Sequence, residues 1–116
     1  DTDIRGEVIN SKIHGRVIVE DGASINNCTI RGPVIIGERT VVNDCYIGPD
    51  TSIYSDAEIR NSEIEHSIIL EKCKVLDLRG RMEGSLIGKN VEIVRLDQQP
   101  KAYRFMVGDN SWIGII

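Results

Sequence analysis

Aromatic side chains are scarce: one Trp, three Tyr and one Phe in 116 residues, 4% of a chain that is 41% apolar. A core with so few rings is built from Ile, Val and Leu, and the β-branched members of that set favour strands. A narrow interior with no space for large rings gives this composition. Cysteine is sparse as well. Three is an odd number, which argues against a disulfide scaffold and for a reducing, cytoplasmic setting. Basic charge is not in excess: 14 Lys and Arg against 18 Asp and Glu leave a net −4, which argues against general nucleic-acid binding and a polybasic membrane patch. No apolar run approaches the roughly 20 residues of a transmembrane helix. No leader is visible and the chain starts at Asp1 without Met, so it is expected to be processed or cut from something longer. Its length suits one domain with one modest core.

What is present is a repeat. Aliphatic residues recur every 17 positions in three columns. One column is Val19, Ile36, Ile53, Leu70 and Ile87. A second is Val8, Ile25, Val42, Ile59, Leu76 and Ile93. The third is Ile13, Ile30, Ile47, Ile64 and then Arg81. Fifteen of these sixteen positions are apolar, where chance would supply about six or seven. The columns are spaced 6, 6 and 5 within each period, so each period reads as three short strands joined by three tight corners.

Strand alternation turns the residue two before each column position inward as well. Those residues are Val17, Val34, Thr51, Ile68 and Ser85 on the first side. On the second they are Ala23, Thr40, Ala57, Lys74 and Val91, and on the third Ser11, Cys28, Cys45, Ser62 and Arg79. Nearly all are small or β-branched, as a narrow triangular interior requires. Asn10, Asn27, Asp44 and Asn61 share one corner register, where Asn and Asp tolerate left-handed backbone and are placed to hydrogen-bond from coil to coil. The expected fold is therefore all-β: a single-stranded parallel β-helix of triangular section, with about five coils of 17 residues. Periodicity alone leaves its handedness open.

Regularity fails twice. Residues 77–84 put Leu78 where Asn is expected and Arg79 and Arg81 at inward sites, which predicts a register shift or bulge with Met82 replacing Arg81 inside. After Ile93 the pattern stops. The reading is thus of coils over 1–93 and an excursion and capping segment over 94–116, in which Val107–Ile113 resumes one hexad. The competing reading folds this excursion, with Tyr103, Phe105 and Trp112, back over the rod's side.

Few residues carry chemistry. His14 and His66 fall at or beside corners, where an exposed histidine is the bland reading. Cys28 and Cys45 lie one period apart at inward positions and read as buried fillers, while Cys73 reads as an exposed corner residue. No metal-ligand spacing, phosphate-cradling loop or nucleophile elbow occurs. One outward column stands out: Ile18, Ile35, Ser52, Ile69 and Leu86 form an aliphatic stripe, so Ile18, Ile35, Ile69 and Leu86 are the interface candidates of a homo-oligomer or an interdomain contact.

The hexads resemble those of hexapeptide-repeat proteins, and that resemblance implies a left-handed helix. The run from Ile47 to Val94 is similar to the C-terminal β-helix domain of long-form glucose-1-phosphate thymidylyltransferases. The segments NSEIEHSIIL, RMEGSLIGKNVEI and RFMVGDNSWI carry most of the match. The resemblance implies a parent enzyme that makes dTDP-glucose from dTTP and glucose 1-phosphate with Mg2+. The family's glycine-rich loop, catalytic lysine and metal-binding aspartates have no counterpart here, so no catalytic, cofactor or metal residue carries over. The chain is then expected to serve assembly, stability or regulation beside its own N-terminal nucleotidyltransferase domain. Hexapeptide-repeat acyltransferases are similar in fold and use a histidine base. They supply the alternative, an acetyl-CoA-dependent enzyme acting on an amino-sugar phosphate through His66.

Overall fold

The computed structural model describes residues 2–116 and contains three parallel β-sheets and no helix among them. The chain climbs through the three sheets in turn, so each is a ladder of strands one coil apart, and the architecture is a triangular left-handed β-helix of about five turns. The first face stacks Asp3–Ile4, Val17–Val19, Val34–Ile36, Thr51–Ile53, Ile68–Ile69 and Leu86–Ile87. The second stacks Glu7–Ile9, Ser24–Asn26, Val41–Asn43, Glu58–Arg60, Lys74–Leu76 and Glu92–Val94. The third stacks Lys12–His14, Thr29–Arg31, Tyr46–Ile47, Glu63–Glu65 and Met82–Glu83.

The interior is an aliphatic stack. Ile25, Ile30, Ile36, Ile47, Ile59, Ile64 and Ile69 are fully buried, and the end-coil residues Val8, Ile13, Met82, Ile87 and Val91 pack partly against them. Small inward residues fill the corners and carry hydrogen bonds along the axis. Thr40 Oγ1 donates to the Tyr54 carbonyl and accepts from the Ala57 amide (2.6 and 3.2 Å). Ser67 Oγ donates to the Glu65 carbonyl and accepts from the Ser85 amide (2.8 and 3.1 Å). Thr51 is the exception, since its buried Oγ1 has no partner. Burying a hydroxyl without a hydrogen bond is costly, so Thr51→Val is expected to stabilise the rod by about 1 kcal/mol, read as a higher urea midpoint at unchanged slope.

The corners turn through left-handed backbone. Asn10, Asn27, Asp44, Asn61 and Asp77 form one column with φ between 47° and 60°. Their side chains link successive coils: Asn10 to Asn27 at 3.3 Å, Asn27 to Asp44 at 2.7 Å and Asn61 to Asp77 at 3.1 Å. At the corner leaving the first face, Arg39 (φ 58°) grips Asp56 (φ 57°) with a two-point pair at 2.8 and 3.0 Å. That hydrogen bond holds the Asp56 carboxyl below its usual range. Because the folded value is the lower one, the pair's contribution is present above the ordinary carboxylate range. It is lost as pH falls through the lowered value. Asp56→Asn is expected to flatten the acid limb of a stability-against-pH profile.

The fourth coil departs from strict period. Ser52 and Ile53 pair with Ile68 and Ile69, so Ile53 to Ile69 is 16 residues. Ile69 pairs with Ile87, 18 residues on. One residue is missing at the His66 corner, and two extra residues follow between Val75 and Met82. Ile69, Val75 and Cys73 therefore point inward, each fully buried, in place of Leu70, Leu76 and Lys74. Ser67 takes the inward place expected for Ile68. Asp77, not Leu78, continues the Asn column, and Leu78 packs partly against the core. Arg79 is exposed, and Met82 pairs with Ile64 and replaces Arg81 inside, as the bulge predicted.

Beyond Val94 there is no strand, and every residue from 99 to 116 is exposed.

Candidate functional site

The first face carries the aliphatic stripe on its outer surface, with one correction. Ile69 is fully buried because of the missing corner residue, and Ile68 takes its outward place. The stripe is thus Ile18, Ile35, Ser52, Ile68 and Leu86, with Ile35 41%, Ile68 44% and Leu86 72% exposed. A shallow groove of about 380 Å³ runs along it, walled by Ile18, Ile35 and Ile68 with Arg16 and Asp50 at its rim. Three of four successive strands each place one aliphatic side chain here, with Ser52 between Ile35 and Ile68, because outward residues repeat in register along a parallel ladder. This surface can exclude water against a partner.

The third face holds a polar cluster around Arg81, which the bulge expected over residues 77–84 leaves outward. Glu63 and Tyr46 are paired outward neighbours, and the bulge brings Arg81 to the next rung. The Tyr46 hydroxyl donates to Glu65 (3.0 Å), and Arg81 bonds Glu63 and Glu65 (both 3.2 Å) while its guanidinium lies 4.9 Å from the Tyr46 ring centre. Desolvation, followed by the Glu65 hydrogen bond, raises the Tyr46 pKa. Each charge is answered within the cluster, which makes it a clasp across coils. A second, polar groove of about 510 Å³ follows the Asn column and is lined in part by Lys12, Thr29 and Glu63.

His66 sits on a left-handed corner (φ 48°), its Nδ1 3.3 Å from Asp50 of the coil below and about half exposed. His14 is exposed at a strand end. The two histidines sit on different coils. Cys28, Cys45 and Cys73 are buried free thiols, which corrects the exposed placement expected of Cys73. The Cys28 and Cys45 thiols donate to backbone carbonyls, and the hydrogen bond with Cys28, together with burial, pushes the Cys45 thiol up. Among the described residues no three of His, Cys, Asp and Glu converge, so these side chains do not form a seat for the Mg2+ that the resemblance implies for a parent enzyme. None of the described residues forms a helix long and apolar enough to cross a membrane.

No protein-family model matches the chain. It is similar to two curated proteins named glucose-1-phosphate thymidylyltransferase. The identity is 45% over 101 residues with that of Streptomyces antibioticus and 41% over 101 residues with that of Streptomyces griseus. Each match covers 87% of this chain, and the chain spans only 28% of the length of either relative. The resemblance read from the sequence thus meets named relatives over most of the chain.

Proposed function

We propose that this chain is the β-helix portion of a glucose-1-phosphate thymidylyltransferase, an enzyme that joins dTTP and glucose 1-phosphate into dTDP-glucose and diphosphate. The observation that carries the reading is the combination of high identity with partial length: 87% of the chain matches 28% of such a protein. Catalysis, with its Mg2+, then belongs to the remaining part of the parent, and this portion contributes assembly and stability. Three free thiols accord with a cytoplasmic location.

The aliphatic stripe is the surface on which the catalytic part packs. The first strand, Asp3–Ile4, is the edge strand of that same face, so polypeptide preceding it arrives beside the stripe. Ile35→Asp is expected to leave the rod's own unfolding within about 0.5 kcal/mol of the parent sequence, since the side chain is exposed. In the full-length protein the same change lowers the thermal midpoint of the catalytic part.

The decisive test is a diphosphate-release assay with dTTP and glucose 1-phosphate. The isolated chain is expected to show no turnover, and the full-length protein to be active. Turnover by the isolated chain overturns the reading. So does saturable acetyl-CoA binding with thiol release that His66→Ala abolishes, which would establish the acyltransferase alternative.

A further inference from the structure

The five corners that leave the first face after Val19, Ile36, Ile53, Ile69 and Ile87 follow one pattern. An inward aliphatic is followed three residues later by a left-handed residue, four later by a small or β-branched inward residue, and six later by a second inward aliphatic. Ile53, Asp56, Ala57 and Ile59 make one such corner, and Ile87, Asn90, Val91 and Ile93 make the last one in the rod. Val107, Asn110, Ser111 and Ile113 repeat it in the tail. This sixth copy is already bent: Asn110 has φ 61°, as Asn90 has 60°, and Ser111 Oγ donates to the Gly108 carbonyl at 2.9 Å. Yet it pairs with no strand, and Val107 and Ile113 remain 61% and 45% exposed.

The rod offers a seat of matching shape. Its last coil is an open edge: Leu86–Ile87 and Glu92–Val94 each have a strand on one side only, and Ile87, Val91 and Ile93 are half-buried. Laid on that edge, the tail corner would place Val107 over Ile87, Asn110 over Asn90 and Ile113 over Ile93. It would also place Asp109 over Lys89, whose ammonium already meets Glu71 of the coil below at 3.5 Å. Asn over Asn is the contact the chain uses between Asn10 and Asn27. Apolar, amide and charge matching therefore coincide in one register.

We propose that Val107–Ile113 of one copy docks as the next coil corner on the open end of a second copy, and the reverse, so that two rods join end to end. In the single chain no backbone hydrogen bond joins the corner to the seat, and Ile116 Cδ1 lies beside Gly80 (3.2 Å from where a side-chain carbon there would be). Residues 94–106 reach at most about 45 Å when extended, ample to cross to a facing rod. Each copy gives one corner and receives one, so the contact closes as a two-fold dimer and does not propagate. This inference does not depend on the activity of any parent enzyme.

Stacked coil positions bring Cα atoms to disulfide distance, so Lys89→Cys with Asp109→Cys reports the register directly. The three native thiols are buried. On oxidation the double variant is expected to run as a reducible covalent dimer, which neither single variant forms. Light scattering of the unaltered chain should give a dimer mass that falls to a monomer when residues 107–116 are removed. A disulfide formed within one chain overturns the exchange between copies. Unreacted cysteines in the double variant, or a full chain that stays monomeric, overturn the docking itself.

Discussion

Replacing Ile59 with alanine is expected to cost about 3–4 kcal/mol of folding stability, the largest single effect among the aliphatic stack. Ile59 is fully buried in the central coil, and its strand is paired on both sides, with Val42 below and Val75 above, each also fully buried. Truncation therefore opens a cavity that no neighbour can fill without breaking ladder register. In a linear stack each coil gains stability only from the coils it touches, so damage at the centre weakens two interfaces at once. Ile93→Ala supplies the control. Ile93 occupies the same column on the last coil, is half-buried and pairs on one side only, so its loss should be about 1 kcal/mol. Urea unfolding of the two variants separates position in the rod from side-chain chemistry. Equal losses would contradict a stack of nearest-neighbour contacts.

The second large effect concerns backbone clearance. At Gly37 an added side-chain carbon would lie 2.5 Å from the Tyr54 carbonyl carbon and 2.7 Å from the Ser55 nitrogen, both main-chain atoms of the next coil. Neither can yield without separating two rungs, so Gly37→Ala is expected to cost about 2–3 kcal/mol. Glu20, Tyr54 and Leu70 stand at the equivalent corner position of other coils. The collision thus reflects the approach of one peptide and not a general demand of the corner. Gly88, also at that position, has nothing within 4 Å of an added carbon and no positive φ. Gly88→Ala should be neutral or stabilise by about 0.5–1 kcal/mol through the unfolded chain. Paired thermal or urea melts check both, and a neutral Gly37→Ala would show that the coils breathe apart.

The sequence made the three faces legible because branched aliphatics at fixed spacing can satisfy only one narrow interior. The Asn column was legible because a left-handed corner favours few residue types. The fourth coil was misread for an equally physical reason. Ile68, Ile69 and Leu70 are all apolar, as are Val75 and Leu76, so a one-residue slip leaves the hydrophobic columns filled. Polar residues carried the correcting signal. Lys74 inside and Leu78 in the Asn column both disappear when the coil is moved by one, which puts Cys73 beside Ala57 and Asp77 beside Asn61. The expected bulge with Met82 inside already turned Arg81 outward, but its pairing with Tyr46, Glu63 and Glu65 leaves no mark in the hydrophobic pattern. The outer stripe was legible apart from Ile69, for which Ile68 substitutes. The tail corner could be recognised as a hexad, but strand periodicity says nothing about which molecule a hexad stacks on.

The short and long turns of the fourth coil cancel. A residue dropped before Ser67, two gained before Met82 and one dropped again between Met82 and Ile87 return Ile87 and Ile93 to the positions that an uninterrupted period would give them. The error is confined between two corners, and everything downstream keeps its phase. The stretch Leu78–Arg81 is therefore a natural graft point. A longer peptide spliced there would hang from an edge of the prism and leave the strands on either side in step. One residue spliced into the middle of a strand would instead turn the rest of that strand's side chains inside out. An edge of the prism can therefore lengthen without altering the faces on either side.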